Sequence, residues 1–273
     1  MRRACCLTAA LATLLITANP PTAGAQTRSR GAARSNDGCN ERWGDSSRAS
    51  YCEVREETIG GAAPLDVDAG ANGGIKVIGW DRGDVLVRTV IRGYGETDAD
   101  ARRMVSGVRV ETAPRIRALG PDTGRRESWS VSFEIHVPRR AQLALHTNNG
   151  GIAIDDFQGI AEFRALNGGV TLRNVGGEIK GETTNGGLTI DLNGDRWDGM
   201  GLDVSTHNGG VKLTLPERYS AELETGTTNG RVTTDFPITV QGRLTQEIHT
   251  TLGSGGVKIR AMTTNGGVTI HRR

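Results

Sequence analysis

A short motif, Asn-Gly-Gly followed by an aliphatic residue, recurs along this chain and constrains its fold more than any other feature. Asparagine tolerates the left-handed backbone region and glycine enters it freely. An Asn-Gly pair before β-branched residues is therefore typical of a tight bend that leads into a strand. We predict a structural corner at Asn72, Asn149, Asn167, Asn185, Asn208, Asn229 and Asn265, with Ser254-Gly255-Gly256-Val257 as a looser copy.

Aliphatic residues occupy fixed columns when the copies are aligned on the corner. The column three residues later holds Ile152, Val170, Leu188, Val211, Val232, Val257 and Val268. The column five residues later holds Ile154, Leu172, Ile190, Leu213, Thr234, Ile259 and Ile270. Side chains alternate between the two faces of a strand, so these columns point to one side and the polar residues between them to the other.

The intervals between corners suggest how the strands associate. From Asn149 to Asn265, with Ser254 counted, they are 18, 18, 23, 21, 25 and 11 residues. Repeats of about 20 residues match one supersecondary unit of a stacked array. A parallel solenoid with stacked asparagines and an antiparallel meander of hairpins both fit. Because a meander does not require identical hairpins, the repetition favours an all-β, single-domain parallel β-solenoid that resembles a β-helix.

The chain divides into three segments. Residues 1–25 have a basic start, an apolar run and a small-x-small end, which predicts a cleaved signal peptide. Residues 26–52 are polar and predict a flexible lead, and residues 53–273 form the predicted solenoid domain. One short helix is expected near 97–106, with Thr97 as its N-cap, and a strand from Trp129 is expected to end at Pro138.

Cys39 and Cys52 are the only cysteines that remain after the predicted signal is removed. In an exported protein, a disulfide between them is the default expectation, with free thiols or a metal pair as alternatives. The chain has 33 Lys and Arg against 31 Asp and Glu, and loss of Arg2 and Arg3 with the signal leaves equal numbers. This balance, together with few aromatic residues, argues against a nucleic-acid partner.

These motifs resemble the bacterial putative-adhesin domain family, which is filed as a domain of unknown function. The resemblance rests on the Asn-Gly-Gly corners, on the strand that ends at Pro138, and on the closing Gly253–Ile259 and Thr264–Ile270 segments, and it covers about residues 60 to 272. It implies an extracytoplasmic β-solenoid. It transfers no catalytic residue to this chain.

One segment has the spacing with which a calcium loop begins. Asp191, Asn193 and Asp195 place oxygen ligands at alternate positions. The loop lacks the glycine expected at its sixth position, where Arg196 stands, and the closing glutamate, where Leu202 stands. This makes it a weak calcium candidate, and we otherwise expect no metal and no cofactor.

The sequence contains no hydrolase elbow, zinc motif or phosphate loop, and its five histidines are scattered. We therefore expect a non-enzymatic, exported module, periplasmic or extracellular, that does not span the membrane after signal cleavage. Its expected partner is a cell-envelope or surface component, either protein or glycan. The alternative is a carbohydrate-active β-helix enzyme or a polysaccharide-binding protein. We expect a monomer, with end-to-end assembly as the alternative.

Overall fold

Two mostly parallel sheets of ten strands each form the body of the protein. The computed structural model describes residues 37–39, 48–61, 64–236 and 246–273. The predicted signal peptide and most of the predicted lead lie outside the described residues. All described residues belong to one compact unit, Ser35–Arg273.

The amino-terminal half begins with a 3₁₀ turn, Asp37–Cys39, and contains the single α-helix of the described residues. Its elements are β1 (Ala49–Gly60), β2 (Leu65–Asp68), β3 (Ile75–Trp80), β4 (Asp84–Gly95), α1 (Asp98–Ser106), β5 (Arg109–Glu111), β6 (Ile116–Leu119), β7 (Ser128–Pro138), β8 (Gln142–Asn149), β9 (Ile152–Asp155) and β10 (Ile160–Asn167). The remaining elements are β11 (Val170–Arg173), β12 (Gly177–Asn185), β13 (Leu188–Asp191), β14 (Gly199–Asn208), β15 (Val211–Leu215), β16 (Ala221–Asn229), β17 (Val232–Thr234), β18 (Glu247–Leu252), β19 (Lys258–Asn265) and β20 (Val268–Arg272).

Each repeat forms one rung, in which a longer strand enters an asparagine corner and a shorter strand leaves it. The shorter strands belong to sheet A, whose order is β1-β4-β7-β3-β9-β11-β13-β15-β20-β17. The longer strands belong to sheet B, whose order is β18-β16-β19-β14-β12-β10-β8-β2-β6-β5. Neighbouring rungs are parallel and in register, so that Asn167 pairs with both Asn149 and Asn185. This arrangement is solenoid-like, and the all-β prediction is confirmed.

The predicted aliphatic columns form one apolar interior. Ile154, Leu172 and Ile190 are each 0 % exposed, and the other column members on these rungs are buried beside them. Burial of apolar area stabilises such a fold by about 25 cal/mol per Å². Because each rung covers the next, the core extends along the whole stack.

Glycine is needed at the corners for a reason that differs from the predicted one. None of the corner asparagines has positive φ, whereas Asp156 (φ 56°) and Asn174 (φ 50°) at the second bend do. A Cβ added at Gly186 would lie 2.2 Å from the carbonyl oxygen of Gly168 on the preceding rung. The left-handed interpretation of the corners was therefore wrong. The first glycine of each corner allows two rungs to approach closely.

Two polar ladders run along the corners. The side-chain amides of the seven corner asparagines form an unbroken chain, each linked to the next rung, in the order Asn72, Asn149, Asn167, Asn185, Asn208, Asn265 and Asn229. Inside the corners, buried threonine hydroxyls donate to the first-glycine carbonyl of the adjacent rung. Thr206, for example, donates to Gly186 at 2.7 Å. These bonds satisfy polar groups that the close approach of the rungs removes from water.

The rungs do not stack in chain order at the carboxyl end. β19 and β20 lie between the rung of Asn208 and the rung of Asn229. The looser copy at Ser254 is not a corner, because Gly255 and Gly256 have positive φ and lie in the loop that follows β18. β18 itself pairs antiparallel with β16. After this loop, Lys258–Asn265 form one uninterrupted strand, β19.

The amino-terminal part of sheet A departs from the repeat. β1 pairs antiparallel with β4, and β4 pairs antiparallel with β7. β1 starts at Ala49, before the predicted domain boundary at residue 53. The predicted helix is confirmed as α1, with Thr97 and Asp100 forming a reciprocal capping box.

Candidate interaction surface

The outer face of sheet A carries a continuous row of side chains across its ten strands, which we call the outer row. Strand registers place one outward residue on each strand: Glu56, Arg88, Glu134, Lys76, Ala153, Thr171, Thr189, Lys212, Thr269 and Thr233. The first four positions are charged, whereas Ala153, Thr171 and Thr189 are small and uncharged. This stretch of three positions is therefore flat, and Thr171 and Thr189 offer hydroxyl groups at the interval of neighbouring strands, about 4.8 Å.

A row of bare backbone runs beside the outer row, and we call it the glycine floor. It consists of the second glycine of six of the seven corners, namely Gly74, Gly151, Gly169, Gly187, Gly210 and Gly267, whereas the seventh corner has Arg231 at this position. A Cβ at Gly187 would lie 3.2 Å from the Gly210 carbonyl oxygen, a much milder contact than at Gly186. The glycine floor separates the outer row from the asparagine ladder and leaves the backbone open to a ligand.

The outer face of sheet B carries charged side chains that pair with one another between rungs. Arg260 lies 2.8 Å from Asp203 and 3.0 Å from Glu224, and Lys258 lies 3.2 Å from Glu224. The hydrogen bond from Lys258, together with Arg260, holds the pKa of Glu224 below its usual range in spite of partial desolvation. Sheet B therefore presents a face whose charges already have partners.

A groove opens on the outer face of sheet A where β4, β7 and β3 meet, and we call it the β4 groove. The 3₁₀ turn forms one wall, since Gly38 packs against Val90 and the disulfide between Cys39 and Cys52 holds this turn over β4. Two adjoining cavities of about 580 Å³ and 540 Å³ make up the groove. The first of them extends over the glycine floor as far as Gly169.

Glu134 lies at the centre of the β4 groove among basic groups. Partial burial alone would raise its pKa, but Lys76, a hydrogen bond with His136, and Arg88 outweigh that effect and lower the pKa. Lys76 Nζ is 3.5 Å from Glu134, and Arg88 lies between Glu134 and Glu56 at 3.7 Å and 3.6 Å. Glu134 is therefore an anion that partly offsets the positive charge of the groove.

The calcium candidates are not brought together as a free ligand set. Asp191 forms an ion pair with Arg273 at 3.1 Å, and the same guanidinium contacts the side-chain oxygen of Asn193. The backbone oxygen of Asp195 accepts a hydrogen bond from Ser220. The described ranges contain no group of three or more His, Cys, Asp or Glu side chains that could hold a metal. Arg273 therefore already contacts two of the three candidate side chains.

The groove residues were missed by sequence reasoning. Arg88, Arg92 and Tyr94 share the outer face of β4 because they alternate with buried residues along that strand. That alternation was recognisable in the sequence only up to Thr89. An antiparallel pairing places β4 beside the serines of β7, and no repeated motif in the sequence predicts this pairing.

A family model named Toastrack DUF4097 matches residues 125–271. The chain belongs to this Toastrack family. The match includes β7 to β19 entire and all but the last residue of β20, and it agrees with the expected domain of unknown function. The β4 groove lies at the amino-terminal border of the Toastrack match, since β4 precedes residue 125 and β7 lies within it.

Several solved structures are similar to this chain. A putative cell adhesion protein from Clostridium sporogenes is 12% identical with a TM-score of 0.41, covering 81% of this chain and 100% of that one. A putative lipid binding protein from Parabacteroides distasonis is 8% identical with a TM-score of 0.36, covering 80% and 96%. A putative adhesin from Bacteroides fragilis is 12% identical with a TM-score of 0.28, covering 82% and 97%. Scores at this level support no conclusion about activity or ligand.

None of the curated proteins compared with the chain matches it. Within the part of the chain that the structure describes, no helix has the length and apolar character needed to cross a membrane.

Proposed function

We propose that this protein is a non-enzymatic, exported β-solenoid, periplasmic or extracellular, that binds a cell-envelope component through the outer face of sheet A. Membership of the Toastrack family supports an adhesin-like role only in general terms. The more specific support comes from the contrast between an uncharged stretch of sheet A and the charged outer face of sheet B.

The observation that carries the proposal is the uncharged stretch Ala153, Thr171 and Thr189 of the outer row, beside the glycine floor. Thr171 and Thr189 project side by side from paired strands. Sheet B, in contrast with this stretch, carries charged side chains that form ion pairs between rungs. Polar groups without strong partners inside the protein pay the smallest free-energy penalty when a ligand replaces the water bound to them. A flat, rigid face of this kind suits an extended envelope polymer or a flat protein surface.

Binding to a cell-envelope fraction of the source bacterium tests the proposed surface. The double variant Thr171→Glu and Thr189→Glu should abolish sedimentation of the purified protein with that fraction. Ala144→Glu and Ser205→Glu are the matched control, because they add the same charge at outward positions of sheet B. Equal loss in both variants, or no loss in the first, would contradict the proposed surface.

Two further measurements test the remaining parts of the proposal. Mass spectrometry of the protein from osmotic-shock fluid or culture medium should find an amino terminus at Gln26. Incubation with uronic-acid polysaccharides should release no unsaturated or reducing ends. Retention of residues 1–25 on a cytoplasmic protein would overturn export, and product release would overturn the non-enzymatic assignment.

A further inference from the structure

We propose that the β4 groove binds a carboxylate-bearing polysaccharide, a polyuronate. This inference rests on the proposed function, because it gives a ligand class and a site to the same envelope-binding face. It depends on the charge of the groove, on its hydrogen-bonding groups and on the position of its walls in sheet A.

The charge of the groove is positive. Arg48, Lys76, Arg88 and Arg92 line its two cavities, and Glu134 is the one carboxylate among the described lining residues. Arg88 and Arg92 point outward from the same strand, four residues apart, which places them about 13 Å from each other. Cations spaced along a line suit a polymer with repeated carboxylates better than a single small anion.

Neutral hydrogen-bonding groups stand beside these cations. Ser130 on β7 pairs with Arg92 on β4, and Ser128 pairs with Tyr94, all on the outer face. Asn149 of the asparagine ladder lines the same cavity. Hydroxyl and amide groups mixed with arginines match a uronic acid, which presents hydroxyls and a carboxylate on every sugar.

The position of the walls argues against a bound peptide strand. β4, β7, β3 and β9 each have a paired strand on both sides in sheet A. They therefore have no free edge whose N–H and C=O groups could accept an additional strand. A stacking platform for nucleic-acid bases is also missing from the described groove, since its one tyrosine, Tyr94, already faces the guanidinium of Arg48 at 5.6 Å.

The glycine floor gives the ligand a direction. It begins in the groove at Gly74, passes Gly151 and Gly169, and continues along the rungs beside Thr171 and Thr189. A linear polymer held by its carboxylates in the groove would extend over this floor toward the hydroxyl groups of Thr171 and Thr189. The groove and the flat face are then two parts of one binding surface.

Calorimetry of the mature protein with polygalacturonate tests the inference, with carboxyl-reduced polygalacturonate and duplex DNA as comparison ligands. The double variant Arg48→Gln and Lys76→Gln should weaken polygalacturonate binding about tenfold, because it removes two cations from the groove. Arg164→Gln and Lys180→Gln on sheet B remove the same charge from exposed positions and should leave binding unchanged. Added salt should weaken wild-type binding.

Glu134→Gln tests the sign of the electrostatic effect. Removal of the one anion in the groove should tighten polygalacturonate binding about three- to fivefold. A merely structural role for Glu134 would give weaker binding or no change. Melting temperatures near that of the wild type confirm that each variant is folded.

Four results would overturn the inference: no binding of polygalacturonate, equal binding of the carboxyl-reduced polymer, equal binding of DNA, or equal losses in the groove and sheet B variants. Envelope binding that depends on Thr171 and Thr189 but not on Arg48 and Lys76 would refute the groove and leave the proposed function standing. Polygalacturonate binding in the groove without any envelope binding would support the ligand class and refute the proposed function.

Discussion

The side-chain amide of Asn265 donates a hydrogen bond to Oδ1 of Asn208 at 2.9 Å, although 57 positions separate them in the chain. Asn229, which comes between them in sequence, lies beyond Asn265 and donates to its Oδ1 at 2.8 Å. The rung of Asn229 therefore precedes the rung of Asn265 in the sequence, but in the stack the rung of Asn265 lies between the rungs of Asn208 and Asn229. The outer faces remain in register because all three rungs share the same corner.

The asparagine ladder should contribute to stability in proportion to the bonds lost. Asn185 both donates to Asn167 and accepts from Asn208, whereas Asn229 only donates, to Asn265. Asn185→Ala should lower the free energy of unfolding by about 2 kcal/mol, and Asn229→Ala by about 1 kcal/mol. Urea titration measures both. Equal costs at the two positions would contradict a continuous ladder.

The two glycines of one corner should respond very differently to a methyl group. Gly186→Ala forces a Cβ to within 2.2 Å of the Gly168 carbonyl oxygen, so the rungs must separate. Gly187→Ala meets the Gly210 carbonyl oxygen at 3.2 Å, which a shift of a few tenths of an ångström relieves. We expect a loss of more than about 3 kcal/mol for the first and about 1 kcal/mol for the second. Similar unfolding midpoints for the two variants would contradict the close approach of neighbouring rungs at Gly186.

Two buried threonines provide a matched pair for the inner ladder. Thr206 donates to the Gly186 carbonyl at 2.7 Å, whereas the buried hydroxyl of Thr227 has no hydrogen-bond partner among the described residues. Thr206→Val should cost about 1–3 kcal/mol because it leaves a buried carbonyl with one bond fewer. Thr227→Val should be neutral or stabilising. Chemical denaturation that ranks the two variants in the reverse order would refute this assignment.

Glu134 should make stability depend on acid pH. Burial opposes its charge, but Lys76, His136 and Arg88 lower its pKa below the ordinary value of 4.5. A carboxyl group whose pKa falls on folding stabilises the protein above its unfolded pKa, and the contribution disappears as pH drops through the folded value. The free energy of unfolding of the wild type should thus fall more steeply below about pH 4.5 than that of Glu134→Gln.

The control for that comparison is Glu162→Gln on sheet B, where the side chain is largely exposed beside Arg164. In this variant, the free energy of unfolding should fall at acid pH about as steeply as in the wild type. Urea titration measures the free energy of unfolding of both proteins between pH 5 and 3. If it falls in parallel for Glu134→Gln and the wild type, the basic neighbours do not stabilise the charged form of Glu134.

The repeat predicted from sequence accounts for the interior and the corners. Ile154, Leu172 and Ile190 are buried as expected, because period-two alternation depends on local geometry that the sequence displays directly. The order of the last rungs was not predictable, since Asn229 and Asn265 carry equivalent motifs and only tertiary packing decides which lies next to Asn208.

The β4 groove could not be predicted from the repeated motif for a related reason. Many of its side chains come from β4 and β7, which pair antiparallel with a register that no repeated residue marks. The corner conformation was wrong because Asn-Gly is compatible with two different requirements, left-handed backbone and close approach. The structure assigns the first to Asp156 and Asn174 and the second to the corner glycines.

Cysteine cross-linking on the outer row tests the stacking that builds the whole surface. Thr269 pairs with Lys212 on one side and with Thr233 on the other, so Lys212 and Thr233 lie two strands, or about 10 Å, apart. We predict that Thr269→Cys forms a disulfide with Lys212→Cys and, in a second variant, with Thr233→Cys, while Lys212→Cys with Thr233→Cys stays reduced. Efficient cross-linking of Lys212→Cys to Thr233→Cys, with neither of the other pairs linked, would contradict this account.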